Sequence, residues 1–194
     1  ILLIEAACMV PALVVALIYQ DEDVWAMGKA ILLLAAIGAP MRFGIRPQER
    51  NLRAREGFLV VALAWVALSC FGALPFVFSG LIPNYIDALF ESVSGFTTTG
   101  ATVLTQFDDL PQGIIFWRSF THWIGGMGVL VLTLALVPQL SSRTSHLVRA
   151  ESPGPTLSKI VPKMGDSAKI LYIMYFILTM LEFFALMLAG MNPY

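Results

Sequence analysis

This chain is short of charge: 13% of its 194 residues are Asp, Glu, Lys or Arg, where a soluble domain carries about 25%. With 58% hydrophobic residues and a mean hydropathy of +0.78, the shortage excludes a water-soluble enzyme and a disordered chain. Cysteine is rarer still. Cys8 and Cys70 lie far apart inside apolar runs, which excludes a disulfide framework or a thiolate zinc site and leaves two small packing residues. Only two histidines are present, with no metal-spaced pair and no nucleophile motif. An intramembrane enzyme built on Glu5, His122 and Glu182 therefore lacks support, and no catalytic residue is expected. The net charge of -1 gives no ground for nucleic-acid binding. Ile1–Tyr19 has no basic leader and contains Glu5, so it is not a signal peptide by pattern. A chain starting with Ile reads as processed or as a piece of something longer.

What is present is apolar length. Five stretches reach the roughly 20 residues that cross a bilayer: Ile1–Tyr19, Val24–Met41, Gly57–Ser79, Gly113–Pro138 and Ser167–Gly190. Lys29 interrupts the second early, where a lysine can snorkel to the interface. The charges sort by loop. Arg42–Glu56 and Gln139–Lys169 hold ten of the twelve basic residues. Gln20–Asp23, Gly80–Gln112 and Met191–Tyr194 hold no Lys or Arg but carry Asp21, Glu22, Asp23, Asp87, Glu91, Asp108 and Asp109. The positive-inside rule places the basic loops in the cytoplasm and the acidic ones outside. Five crossings with residue 1 inside satisfy that rule.

Gly80–Gln112 is too short and too apolar for an ordinary loop. Asn84 is placed to cap a helix with Asp87 in its first turn. Asn84–Ser94 reads as a short helix of about 16 Å, half a bilayer. Thr97-Thr98-Thr99-Gly100-Ala101 follows. Both ends of the segment must lie outside, so it is expected to be a re-entrant loop, which is tolerated only when buried in protein or lining water. The entering helix points its negative end at the membrane centre. The returning residues can offer carbonyl and hydroxyl oxygens to a dehydrated cation. Gly100 can take conformations that aim its neighbours' carbonyls, and a serine there is expected to crowd the strand.

These residues resemble the Trk/Ktr potassium-uptake family, in its pore-forming subunit of the TrkH type. The resemblance rests on Asp87-Ala88-Leu89-Phe90-Glu91-Ser92, Thr97–Thr102, Phe116-Trp117-Arg118, Trp123-Ile124-Gly125-Gly126-Met127-Gly128 and Arg149-Ala150-Glu151-Ser152-Pro153-Gly154-Pro155. It implies an all-α polytopic membrane protein of helix–re-entrant pore loop–helix repeats, as in potassium channels, four of them around one axis. On that pattern residues 1–56 are an extra helix pair with a basic cytoplasmic loop. Residues 57–138 are the first repeat, 139–166 a cytoplasmic linker, and 167–194 the first helix of a second, incomplete repeat. Asn192-Pro193-Tyr194 echoes Pro83-Asn84-Tyr85.

The resemblance also implies potassium uptake across the inner membrane through carbonyls of Thr97, Thr98, Thr99, Gly100 and Ala101, with potassium at Thr98 and Thr99 and no organic cofactor. One glycine instead of two per strand implies a shorter, less selective filter. The implied partners are a cytoplasmic nucleotide-binding regulatory subunit, a second copy of the full-length chain as homodimer, and membrane lipid. Arg149–Pro155 is a contact for the regulatory subunit on the same grounds. A proton- or sodium-coupled potassium symporter, with Glu182 or His122 carrying the coupling, and a non-conducting structural subunit are the alternatives.

Several residues carry two readings. Gly125–Gly128 either packs closely on the pore helix or gives a flexible point; inside a span it is no phosphate loop. Arg118 either snorkels or pairs with Glu91 or Asp87, or tunes the field of the pore together with Glu91. His122, one turn along the same face, is a packing histidine or a pH sensor. Glu5 and Glu182, as intramembrane carboxylates, are functional candidates by default; the plainer reading has Glu5 reaching the inner interface and the deeper Glu182 in a structural pair.

Overall fold

The computed structural model describes residues 1–44, 54–105, 110–128 and 164–191. Residues 1–125 form one unit and 126–194 a second. Seven helices and no strand occur among the described residues. They are α1 (Leu2–Tyr19), α2 (Val24–Gly44), α3 (Ala54–Gly72), α4 (Leu74–Phe78), α5 (Tyr85–Phe96), α6 (112–128) and α7 (Met164–Leu188).

The expected spans appear with adjusted edges. α1 ends at Gln20, which takes a left-handed conformation (φ 57°). Gln20 N–H donates to Leu17 O at 3.4 Å and Asp21 N–H to Ala16 O at 3.0 Å, so the last orphan carbonyls are satisfied in a Schellman motif. A short turn then returns the chain along α1 as α2, which continues past Met41 to Gly44 with Arg42 in its last turn, where a cation suits the dipole. The third expected span, Gly57–Ser79, is broken at Ala73 into α3 and α4. Pro75 in the first turn of α4 has no N–H to give to a continuous helix, and its ring clashes with the preceding turn. The fourth expected span, Gly113–Pro138, is helical to residue 128; the remainder lies outside the described residues. So do Asn192-Pro193-Tyr194, Arg149–Pro155 and most of both basic loops. Four helical stretches are long and apolar enough to cross a membrane: Leu2–Tyr19, Val24–Gly44, Leu59–Phe78 and Lys169–Leu188.

The first unit buries Met9 of α1, Met27 and Leu34 of α2, Phe76 of α4, Phe96 of α5, and Ile114 and Trp117 of α6 in one cluster. Small residues make the close approaches. A Cβ on Gly113 would stand 2.6 Å from Ala16 Cβ, so α6 starts hard against α1. Asp21 Oδ2 accepts from Gly113 N–H at 2.8 Å, satisfying one of the N-terminal donors of α6. Outward-facing residues such as Ile4, Leu17, Ile18, Leu32, Leu59 and Leu63 remain exposed, and no residue of the α7 span is buried. Apolar surface on that scale belongs against lipid or other protein. Cys8 and Cys70 are free and half-buried.

Candidate functional site

The site is built on α5 and the residues that leave it. Asn84 caps α5 as expected: its Oδ1 accepts from Ile86 N–H at 3.1 Å, and its Nδ2 donates to Asp87 Oδ2 at 3.0 Å. Tyr85 Oη donates to the Cys70 carbonyl at 3.0 Å, fixing the start of α5 to α3. The helix runs two residues past the expected Ser94, to Phe96.

Its end is decisive for the strip that follows. Thr97 is the C-cap, with φ -86° and ψ 1°. Thr98 has φ 57°. Thr98 N–H donates to Gly95 O and Thr99 N–H to Ser94 O, both at 2.9 Å. This is again a Schellman motif, with a β-branched residue in the left-handed position, where the side chain crowds the backbone. Thr97 Oγ1 donates to Val93 O at 2.7 Å and lies 2.9 Å from Thr99 Oγ1. Thr97 has spent its only hydroxyl proton on Val93, so Thr99 is the donor in that pair. Gly100 also has positive φ, 77°. A Cβ there would meet nothing within 4 Å. The expected crowding by Gly100→Ser is therefore absent among the described residues, and the cost of a side chain lies in the backbone conformation.

Beyond Gly100 the chain is tied back to α5. Ser94 Oγ donates to Ala101 O at 2.6 Å. Thr102 Oγ1 and Val103 N–H both donate to Glu91 Oε2, at 2.9 and 3.0 Å. The other carboxylate oxygen, Oε1, accepts from Arg118 Nε of α6 at 2.5 Å. Glu91 is 1% exposed, so it is a buried charge with both oxygens engaged. Arg118 pairs with Glu91, one of the two carboxylates considered for it. Among the described residues nothing donates a hydrogen bond to the carbonyls of Thr97–Gly100, and Thr97–Val103 are exposed.

α6 follows α5 along one stripe. Besides Arg118 on Glu91, Thr121 Oγ1 lies where a Cβ on Gly95 would stand, and Phe96 O where a Cβ on Gly125 would stand. Gly125 is therefore a close-packing glycine. Thr121 Oγ1 donates to Arg118 O at 2.6 Å, and His122 Nδ1 lies 2.9 Å from the same carbonyl, which is the packing histidine. Trp117 Nε1 donates to Gly72 O at 3.0 Å, and its ring meets Phe96 edge-on with centroids 6.3 Å apart. Gly126 belongs to the second unit, where a Cβ on it would lie 2.5 Å from Tyr175 Oη of α7.

The family's sequence profile, described as "TrkH: Cation transport protein", matches residues 26–192. The chain belongs to the TrkH family. The Trk system potassium uptake protein TrkH of Escherichia coli K12 is 42% identical across all of this chain and 40% of the relative. Its counterpart in Halomonas elongata is 41% identical over 99% of the chain and 40% of the relative. A crystal structure of the potassium transporter TrkH from Vibrio parahaemolyticus matches with a TM-score of 0.81 at 36% identity, covering 99% of this chain and 38% of that one. The TrkH-family chain thus spans about 40% of the length of the curated relatives it matches. It is a helical multi-pass membrane protein of a transport family, not of an enzyme family.

Two positions depart from the sequence reading. Glu5 was expected at the inner interface but is 2% exposed, because that face of α1 turns inward. Glu182 lies on the exposed surface of α7. Ser94 was not foreseen as a tether, since a serine hydroxyl seven residues before its acceptor leaves no periodic signal.

Proposed function

We propose that this chain is the amino-terminal part of a potassium uptake subunit of the inner membrane, and that Thr97–Ala101 supply one quarter of its selectivity filter. The observation that carries the reading is the exposed strip of unengaged carbonyls at Thr97–Gly100, set at the negative end of α5. Positive φ at Thr98 and Gly100, every second residue, breaks the strict alternation of carbonyls that an extended strand would have. Such oxygens replace a hydration shell. Thr99 Oγ1 donates inward and keeps its lone pairs for an ion; potassium at Thr98 and Thr99 fits this arrangement. The Ala101 carbonyl, already an acceptor from Ser94, has one lone pair left. Potassium is the cargo here, and no organic group is required. Glu91 and Arg118 tune the pore indirectly, by setting where the strip ends.

The domain reading is an extra helix pair over 1–56, a first repeat over 57–138, a linker over 139–166 and the opening helix of a second repeat from 167. The remaining filter quarters come from the rest of a longer chain. That full-length chain works as a homodimer in lipid, with a cytoplasmic nucleotide-binding regulatory subunit on its basic side.

The test is rubidium and sodium flux in proteoliposomes of the full-length protein, comparing wild type with Gly100→Ser. Loss of discrimination against sodium is expected. Unchanged discrimination rejects the filter assignment. Potassium flux that follows an imposed proton or sodium gradient would favour the symporter instead.

A further inference from the structure

A second convergence of polar atoms lies away from the strip, where α1, the end of α3 and α5 meet. Glu5 is 2% exposed and Ser92 is fully buried. Glu5 Oε1, Glu5 Oε2 and Ser92 Oγ have no hydrogen-bond partner among the described residues. Two of these atoms face one spot. A Cβ on Gly72 would lie 2.9 Å from Ser92 Oγ and 3.3 Å from Glu5 Oε1. Glu5 stands fourteen residues before Tyr19 on α1, about 21 Å along the axis, too deep to reach the interface there.

Buried polar atoms are almost always satisfied, and an orphan bears the uncompensated cost of its lost hydration. In either protonation state the carboxyl and the hydroxyl together need both a donor and an acceptor. Glu5 Oε1 and Ser92 Oγ, at 3.3 and 2.9 Å from one point that Phe96 Cε2 also crowds at 2.6 Å, are at most about 6 Å apart, a gap that one water beside that point spans with hydrogen bonds of up to about 3 Å. A dehydrated cation asks for about six oxygens or more, and the unpartnered side-chain oxygens here number three among the described residues.

We propose that Glu5 and Ser92 hold a buried water molecule that pins α1 to the back of α5. Ser92 lies five residues before Thr97, so this link sets the pore helix whose end carries the strip. Glu5 is then a positioning residue, and its effect on ion selection rests on the potassium reading above; the water site itself does not.

Two measurements on the full-length protein in lipid nanodiscs and proteoliposomes test this. The first is an electron cryo-microscopy map that resolves buried waters. Density within hydrogen-bond reach of Glu5 and Ser92 is expected, retained in Glu5→Gln and lost in Glu5→Leu. An empty site in a map that shows buried waters elsewhere overturns the proposal. So does a density with six oxygen neighbours, or one that rubidium replaces, which would mark a cation site. The second is sodium competition against rubidium uptake. Glu5→Leu and Ser92→Ala should each weaken discrimination about fivefold, the worth of one net hydrogen bond. The double variant should be no worse, and Glu5→Gln should stay near wild type. Equal losses in Glu5→Gln and Glu5→Leu overturn the hydrogen-bonded link. Wild-type protein that carries no rubidium would reject the potassium reading and leave the density as the judge of the water site.

Discussion

Three helices of this chain, α1, α5 and α7, finish with the same backbone, and the residues that close α7 and α5 differ most. α7 closes on Gly190 at φ 85°, with Gly190 N–H on Met187 O and Met191 N–H on Leu186 O, both 3.1 Å. α5 closes on Thr98 at φ 57° with the matching pair of bonds. Glycine is the ordinary occupant of that position because it lacks a Cβ. A left-handed L-residue costs roughly 1–2 kcal/mol, and threonine is branched as well. The end of α7 minimises local strain. The end of α5 accepts strain and gains a hydroxyl, at the place where ion-binding oxygens are proposed. Strain of this kind persists when the surroundings over-determine the conformation, and α5 has such surroundings: Gly125 against Phe96, Glu91 on Thr102 and Val103, and Ser94 on Ala101.

Removing those surroundings should break the contrast. Glu91→Leu takes from Arg118 its largely buried carboxylate partner and frees Thr102 and Val103. It should cost about 3–5 kcal/mol, read as a large drop in thermal stability in detergent with loss of uptake. Gly125→Val drives a branched side chain into the Phe96 carbonyl and should cost about 1–3 kcal/mol. A melting temperature equal to wild type would show that α6 does not brace the end of α5.

Exchanging the residues at the two helix ends sharpens the same contrast. Thr98→Gly should stabilise the fold by about 1 kcal/mol and impair ion discrimination, whereas Gly190→Ala should destabilise by about 1 kcal/mol and leave discrimination alone. Two substitutions with the same sign in both assays would remove the distinction. The smallest effect belongs to a turn outside the spans. Burial, then Asp21, then Glu22 raise the carboxyl pKa of Asp23. A raised folded-state pKa favours the fold at low pH, and that contribution fades as pH rises through the folded value. Asp23→Asn should slightly flatten the pH dependence of melting on the acid side of neutrality.

The crossings were legible because a span needs only length and apolar content, and because arginines at 42–55 and acids at 21–23 mark opposite sides. The cap of α5 was legible because Asn84 and Asp87 act within one turn. The break at Ala73 was signalled by Pro75 yet masked by continuous hydrophobicity. Asp21 on Gly113 and Trp117 on Gly72 were not legible, since 92 and 45 residues separate the partners and either polar atom could serve elsewhere. Glu5 was misread because hydropathy reports how deep a residue lies and not which face of its helix turns inward.

The sequence by itself determined that the chain crosses a membrane, which loops carry the positive charge, and that a half-length helix leads into Thr97–Ala101. These properties depend on composition and near neighbours, which need no partner from elsewhere in the chain. Only the tertiary structure decided which oxygens of that strip are left unengaged. Ser94 takes the Ala101 carbonyl, Glu91 takes Thr102 and Val103, and α6 packs against Phe96. Such contacts hold the φ of Thr98 against local preference, and local preference is all that a short stretch of sequence encodes.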